Sequence, residues 1–398
     1  MEKLFYRYNP HWENGKNRLK YIERPALLDI LTGQLKNRRL IFMSGLRRVG
    51  KTTFMRIMID HLIRNEKVPP PFIFYLSLDN YMFRDKTLAG LIEKYRQVQN
   101  LPHDRYVYLF LDEISFLKDY EIQLKNLYDM GYCKIIASAS NASLLRSRKP
   151  FLTGRSHLIE IPPLNFEEYL LFKGLSLKKS DDHLTENFFT DFLNTGGIPE
   201  YVLTGEVAYI QELVDDIIYK DIVAQYQLKN PRILRDFFLL LMERAGKQFS
   251  INKIAAILKI STERAKLYLE YFADTYLIHL VERKGKTNTR LLAPRKVYAT
   301  DLGIRNFFTG YRDTGAVFEN YVYLKIKKWK PKYLYEDRTE IDFVINNDFL
   351  IEVKFRNAEM NTRQKRLFNQ YPAKYKFIIN NYRDIENMME VLKTKTPA

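Results

Sequence analysis

The sequence is poor in cysteine, with one residue, Cys133, in a chain of 398. A single thiol excludes an internal disulfide and a thiolate-rich zinc centre. The chain also lacks any apolar run near the ~20 residues that a membrane-spanning helix requires. Its opening stretch, MEKLFYRYNPHWENGKNRLK, holds no apolar segment of the secretory kind. These absences give the expectation of a cytoplasmic protein with no membrane partner. Acidic residues are in deficit too: 47 Asp and Glu against 64 Lys and Arg leave a net charge of +17. Residues 281–398 hold 24 basic and 14 acidic residues, a net +10. This excess points to a polyanionic partner, nucleic acid, with a merely basic soluble surface as the alternative. The length exceeds one ordinary core, so two or three domains are expected. A hydrophobic content of 46% indicates globular rather than disordered structure.

The strongest local signal is Gly45-Leu46-Arg47-Arg48-Val49-Gly50-Lys51-Thr52-Thr53. It follows the apolar run 39–43 and precedes a helical pattern from Phe54 to Ile63. Strand, glycine-rich loop and helix in that order form the context that G-x-x-x-x-G-K-[ST] requires of a P-loop. Gly45 and Gly50 let backbone N–H groups turn towards phosphate at a helix N-terminus. Arg48, Val49 and Thr53 complete the cradle, Lys51 reaches the β- and γ-phosphates, and Thr52 ligates Mg2+. ATP and Mg2+ are therefore the expected cofactors. Tyr106–Leu111 reads as a buried strand running into Asp112-Glu113. Asp112 is placed to hold Mg2+ through water, and Glu113 to orient or deprotonate the attacking water. The alternative is an N-cap pair opening the next helix.

Another strand, Phe72–Leu78, lies between the two motifs, an order that fits the P-loop branch hydrolysing with a glutamate. Lys134–Ser138 reads as a further strand leading to Ser140 and Asn141, candidates for contacting the γ-phosphate or its water. A plain turn is the alternative there.

The stretches GLRRVGKTT, LFLDEIS, SASNASLL, TGR and PPLNFEEYL together resemble AAA-type ATPases common in archaea and bacteria. The resemblance implies an α/β fold. A P-loop parallel sheet (1–163) would be followed by a helical lid (164–230), a winged helix (231–300) and a small restriction-endonuclease-like domain (301–398). It also implies that Arg155, just before the last strand of the core, acts as a finger on a neighbouring subunit of a homo-oligomer, where the alternative is a surface arginine or a structural salt bridge. Gly196-Gly197-Ile198-Pro199 resembles the Gly-x-Pro element whose proline edge touches adenine in related ATPases. Helix termination by glycine and proline explains the same residues without a ligand.

Within 231–300, helical spacing over Arg232–Arg244 is followed by helices behind the N-cap candidates Ser250 and Ser261. Ile278–Arg283 and Thr289–Ala293 are the expected wing strands. Arg264, Lys266, Tyr268, Lys284, Lys286 and Arg290 are the candidate DNA contacts, with a plain packing module inside the ATPase as the alternative.

Farther on, Glu340-Ile-Asp342 enters one strand, an Asn-Asn-Asp turn reverses the chain, and Glu352-Val-Lys354 lies on the next. Period-2 geometry puts Glu352 and Lys354 on one face, and a hairpin brings Asp342 alongside, with helix-borne Glu319 as a third acid. This set suits metal-dependent phosphodiester cleavage. Glu319, Asp342 and Glu352 would hold Mg2+ or Mn2+, and Lys354 would position water. The spacing resembles the PD-(D/E)XK nucleases, including Gln364 on the following helix. The expectation is a Mg2+-dependent ATPase acting on DNA, with ATP state controlling a metal-dependent nuclease module. The alternative is an ATP-switched regulatory protein that binds DNA or a partner and whose nuclease-like domain does not cleave.

Overall fold

The computed structural model describes residues 1–15, 21–140, 152–177, 182–356 and 358–396, apart from the side chains at 182, 289 and 291. The chain separates into two compact units, Met1–Pro162 and Pro163–Ala398.

In the first unit the described residues form a parallel sheet of β1 (Leu40–Ser44), β2 (Ile73–Ser77), β3 (Val107–Asp112), β4 (Cys133–Ala139) and β5 (Ser156–Glu160), in the order β2-β3-β4-β1-β5. Strands β1 to β4 read as nearly unbroken apolar runs because both sheet faces are covered there; every residue of β1 is buried, whereas the edge strand β5 is only partly so. Helices Lys51–Arg64, Leu88–Val98 and Tyr120–Met130 connect them. β4 is inserted between the P-loop strand β1 and the Asp-Glu strand β3. The carboxyl ends of β1 and β3 therefore lie on the same edge, with a strand's width between them.

The exposed edge of β2 is occupied by the N-terminal helices Glu2–Tyr8 and His11–Asn14. Asn9 mimics a neighbouring strand. Its Nδ2 donates to Tyr75 O at 3.0 Å, and its Oδ1 accepts from Tyr75 N at 2.7 Å. Trp12 Nε1 donates to Ile73 O at 2.8 Å, and His11 Nε2 lies 3.1 Å from the same carbonyl. This contact requires the His11 proton on Nε2. His11 is buried, its Nδ1 has no hydrogen-bond partner, and burial lowers its pKa to about 4. The segment thus closes an edge that would otherwise offer open pairing groups.

In the second unit, helices Phe166–Phe172, Asp182–Thr195 and Thr314–Ile326 share a core with one face of the C-terminal sheet. Phe166, Phe189 and Phe192 lie among Phe318, Tyr321 and Tyr382. Helices Pro231–Glu243, Ile251–Ile257 and Thr262–Asp274 accompany a sheet of β6 (Gln248–Phe249), β7 (Ile278–Val281) and β8 (Arg295–Ala299), ordered β6-β8-β7 with antiparallel pairs. Ser261 caps its helix by accepting from Arg264 N at 3.2 Å, whereas the Ser250 side chain makes no cap bond. The expected wing strand Thr289–Ala293 falls mostly in a helix, Thr287–Leu292, and the strand lies beyond it at β8. Its sequence, RKVYA, hid the pattern because the buried residue at its second position is a lysine, Lys296. Tyr268 is buried against Phe237, so it is a core residue and not a surface contact.

The C-terminal part runs helix Thr314–Ile326, then β9 (Lys332–Glu336), β10 (Thr339–Ile345), β11 (Phe349–Val353), helix Thr362–Gln370 and β12 (Tyr375–Ile379). The strand order is β12-β11-β10-β9, with β11 and β12 parallel and the other pairs antiparallel.

His11 gives a pH prediction. Its pKa lies lower in the folded protein than in the unfolded chain (6.5), so the unfolded chain binds the extra proton between pH 6.5 and 4. Stability present above pH 6.5 is then lost on acidification, by ~3 kcal/mol at pH 4. Chemical unfolding of wild type and His11→Gln across this range should show a steeper loss in wild type; parallel curves would contradict it.

Candidate functional site

Gly45 and Gly50 are required by geometry. Gly45 has φ +143°, and a Cβ there would lie 2.3 Å from Ile161 O, because the chain leaving β5 passes directly over the loop. Gly50 has φ +99° and forms the N-cap of helix Lys51–Arg64. Arg48 also takes a left-handed conformation, φ 64°, while Leu46 and Val49 are buried and anchor the loop from beneath. The Lys51 ammonium donates to Gly45 O and Leu46 O, both at 3.0 Å. Thr52 and Thr53 follow in the first turn of the helix, where free N–H groups and the helix dipole favour an anion.

Asp112 joins the loop to the rest of the edge. Its Oδ2 accepts from Thr52 Oγ1 at 2.6 Å and from the Tyr75 hydroxyl at 2.9 Å, and its Oδ1 accepts from Ser138 Oγ. Burial and the Asp112 carboxylate push the Tyr75 hydroxyl far above its ordinary pKa, so it stays a donor. The Arg56 guanidinium sits over the Tyr75 ring, 3.5 Å from its centre. Glu113 is left-handed, φ 51°, which turns the chain sharply off the strand end. Its N–H donates to Ser138 Oγ at 3.1 Å, and its Oε1 accepts from Ser140 Oγ at 2.7 Å. Ser138 and Tyr75 were missed in the sequence because both sit inside apolar strands; the hydroxyls matter only once β2, β3 and β4 are adjacent.

Among the described residues no group of three or more His, Cys, Asp or Glu could hold a metal ion. A P-loop Mg2+ does not need one, since it takes a hydroxyl, a carboxylate through water and nucleotide oxygens. Thr52 and Asp112, in hydrogen-bond contact, fit that demand with oxygen donors of the right hardness.

Other expected residues are placed differently. Asn141 lies outside the described residues. Arg155 precedes β5 at the amino end of the sheet, where its carbonyl accepts from Leu40 N, and its guanidinium pairs with Asp129 at 3.1 Å. It therefore sits at the opposite end of the strands from the P-loop of its own chain, ~15 Å away along them. In the second unit, Pro199 opens helix Pro199–Thr204. A Cβ on Gly197 would lie 2.2 Å from Leu164 O, and one on Gly196 2.3 Å from Gly303 N. Asp301, buried, accepts from Gly197 N at 2.6 Å and Ile304 N at 3.0 Å. Close backbone packing thus accounts for both glycines without a ligand.

The C-terminal carboxylates do converge, but around a lysine. The Lys296 ammonium, with no exposed side-chain surface, contacts Glu319 Oε1 at 2.5 Å, Glu340 Oε1 at 2.7 Å and Asp342 Oδ1 at 3.2 Å. Tyr298, two residues along β8, donates to Glu319 Oε1 at 2.6 Å, and Gln248 Nε2 donates to Glu340 Oε2. On the other side Glu352 Oε2 accepts from Asp342 N at 3.2 Å, and Asp342 Oδ2 accepts from Val353 N at 2.9 Å. Glu352 Oε1 accepts from Lys354 at 2.6 Å and from Gln364 Nε2 at 3.0 Å. Four carboxylates thus face two ammonium groups. Burial first, then the Asp342 charge, push the carboxyls of both Glu319 and Glu352 above their ordinary range. Burial opposes the charge of Lys296, but the carboxylates of Glu319, Asp342 and Glu340 together outweigh it and hold its pKa well above the ordinary value. The expected assignment of Glu319, Asp342 and Glu352 as a metal-ligand set does not fit this arrangement: the Lys296 ammonium already stands between Glu319 and Asp342, and Lys354 holds Glu352.

Residues 37–170 match the AAA domain family, and residues 187–315 match a domain of unknown function, DUF8612. The N-terminal half of the chain thus contains an AAA domain. The chain is 27% identical over 368 residues to Uncharacterized protein MJ1544 of Methanocaldococcus jannaschii, covering 87% of this chain and 80% of that protein. It is 24% identical over 357 residues to Uncharacterized protein MJ1637 of the same organism, covering 79% and 74%. Similar solved structures include the ORC1 protein of Aeropyrum pernix in complex with DNA. Its TM-score is 0.38 at 13% identity, over 74% of this chain and 95% of that one. The S. cerevisiae Hsp104–ADP complex has a TM-score of 0.33 at 17% identity, over 67% and 40%.

Ser138→Ala tests the nucleotide edge. It removes a donor to Asp112 and the acceptor for Glu113 N–H, so turnover should fall about tenfold with ATP affinity unchanged, the usual size for a residue that orients a ligand. Steady-state turnover and nucleotide titration check this; unaltered turnover would contradict it.

Proposed function

We propose that this chain is a Mg2+-dependent ATPase that acts on nucleic acid. The observation that carries the reading is the direct contact of Thr52 with Asp112 at 2.6 Å, with Glu113 next in the chain and hydrogen-bonded to Ser140. Thr52 and Asp112 would hold Mg2+, which when bound neutralises charge on the transferring phosphate. Backbone N–H groups of the loop and the Lys51 ammonium bind the phosphates. Glu113 takes a proton from the attacking water, and the Ser140 and Ser138 contacts keep its carboxylate and backbone in register. Arg155 completes a neighbouring subunit's site in this reading, after leaving Asp129.

Nucleic acid as the partner is supported by the +17 charge, by exposed Arg264 and Lys266 on helix Thr262–Asp274, and by exposed Lys286. The three helices and the β6-β8-β7 sheet support a winged-helix reading of residues 231–300. The order helix, three strands, helix, strand supports a nuclease-like fold for 301–398. Of the two readings of that last segment, the non-cleaving one is favoured by Lys296 among the carboxylates.

Glu113→Gln should retain ATP while turnover drops by roughly 10²–10⁴; a variant that turns over normally would contradict the assignment. Arg264→Ala with Lys266→Ala should weaken duplex DNA binding and reduce the steepness of its salt dependence by about one to two counterions. Unchanged salt dependence would remove that helix from the interface.

A further inference from the structure

Lys296 is a lysine in a place where lysines are rarely found. It lies on the central strand of the β6-β8-β7 sheet, fully buried, with neighbours Gln248 and Val281 in register on either side. An ammonium has three N–H donors and no acceptor. Here three carboxylates receive it, one from helix Thr314–Ile326 and two from β10. Gln248, Lys296 and Tyr298 all enter the same acidic cluster, so the small sheet supplies its polar lining as well as its charge.

A divalent ion shared by Glu319 Oε1 and Asp342 Oδ1 would stand at the place the Nζ atom holds between them. Mg2+ lies ~2.1 Å from its oxygen ligands and demands near-octahedral geometry. A nitrogen already 2.5–3.2 Å from oxygens of Glu319, Glu340 and Asp342 fills the common centre of those ligands. Both cations cannot occupy it, and like charge separates them further.

We propose that Lys296 is the resident cation of this cluster, standing where a divalent metal would bind, so that the wild-type cluster takes no metal. The small sheet and the C-terminal sheet are thereby joined through an internal ion cluster, and removal of the lysine converts that cluster into a divalent-cation site. This deepens the non-cleaving reading of residues 301–398 and is independent of the ATPase assignment.

The test is Mn2+ binding to nucleotide-free full-length protein, followed by electron paramagnetic resonance of the free ion. Wild type and Asp342→Asn should bind the same number of Mn2+ ions. Lys296→Met should gain one ion that is lost again in Lys296→Met with Asp342→Asn, and Mn2+ should raise its melting temperature but not that of wild type. A Mn2+ ion held by wild type and lost in Asp342→Asn would overturn the proposal, as would a folded Lys296→Met that gains none. If Lys296→Met does not fold, the comparison of wild type with Asp342→Asn decides alone. DNA cleavage by a wild type that binds no Mn2+ at this cluster would instead contradict the non-cleaving reading and leave the lysine assignment standing.

Discussion

The Asp112 carboxylate is the constraint on which the nucleotide edge depends. Thr52 from the loop, Tyr75 from β2 and Ser138 from β4 all donate hydroxyl hydrogen bonds to it. Each of these residues reaches Asp112 only because the sheet is ordered β2-β3-β4-β1-β5. The N-terminal segment belongs to the same chain of cause: Asn9 pairs with both backbone groups of Tyr75, and His11 and Trp12 secure Ile73 two residues before it. A feature that looks peripheral in the sequence thus fixes the height and rotation of a hydroxyl at the site.

The two acidic sites of this protein are prepared in opposite ways. The hydroxyls of Thr52, Tyr75 and Ser138 are neutral donors, which orient the Asp112 carboxylate without cancelling its charge. It keeps the capacity to attract a divalent ion, and a hydroxyl such as that of Thr52 can turn from donor to ligand. The C-terminal carboxylates are met by ammonium groups, Lys296 on one side and Lys354 on the other. Burying several carboxylates without a counter-charge costs far more than a domain can support, whereas hydrogen-bonded cations shared among them make the burial tolerable. In the proposed reading the same residue type serves catalysis at one place and cohesion at the other, and the neighbours decide which.

Local patterns reveal local structure, and they made the P-loop, the Asp112-Glu113 strand and the β10–β11 hairpin with Asp342, Glu352 and Lys354 readable in the sequence. Each signal there is a run of residues with a period or a fixed spacing. What was not readable came from distant pairings. Tyr75 and Ser138 resemble ordinary strand residues until their strands are laid beside β3. Lys296 belongs to a strand displaced by several residues from the expected wing strand, and a buried lysine breaks the apolar pattern that would mark it. Its partners, Glu319, Glu340 and Asp342, lie 23 to 46 positions away. The glycines at 196 and 197 suggested a nucleotide hinge, yet backbone crowding by Leu164 and Gly303 explains them.

The central claim is that Asp112 and Thr52 prepare a Mg2+ site for ATP hydrolysis. It is tested most directly by measuring ATP turnover against Mg2+ concentration in wild type and Asp112→Asn. The account predicts turnover in wild type that requires Mg2+ and stops with EDTA, and a variant that needs much higher Mg2+ or does not turn over. Wild-type turnover indifferent to EDTA, or an Asp112→Asn protein with the wild-type Mg2+ requirement and rate, would contradict it.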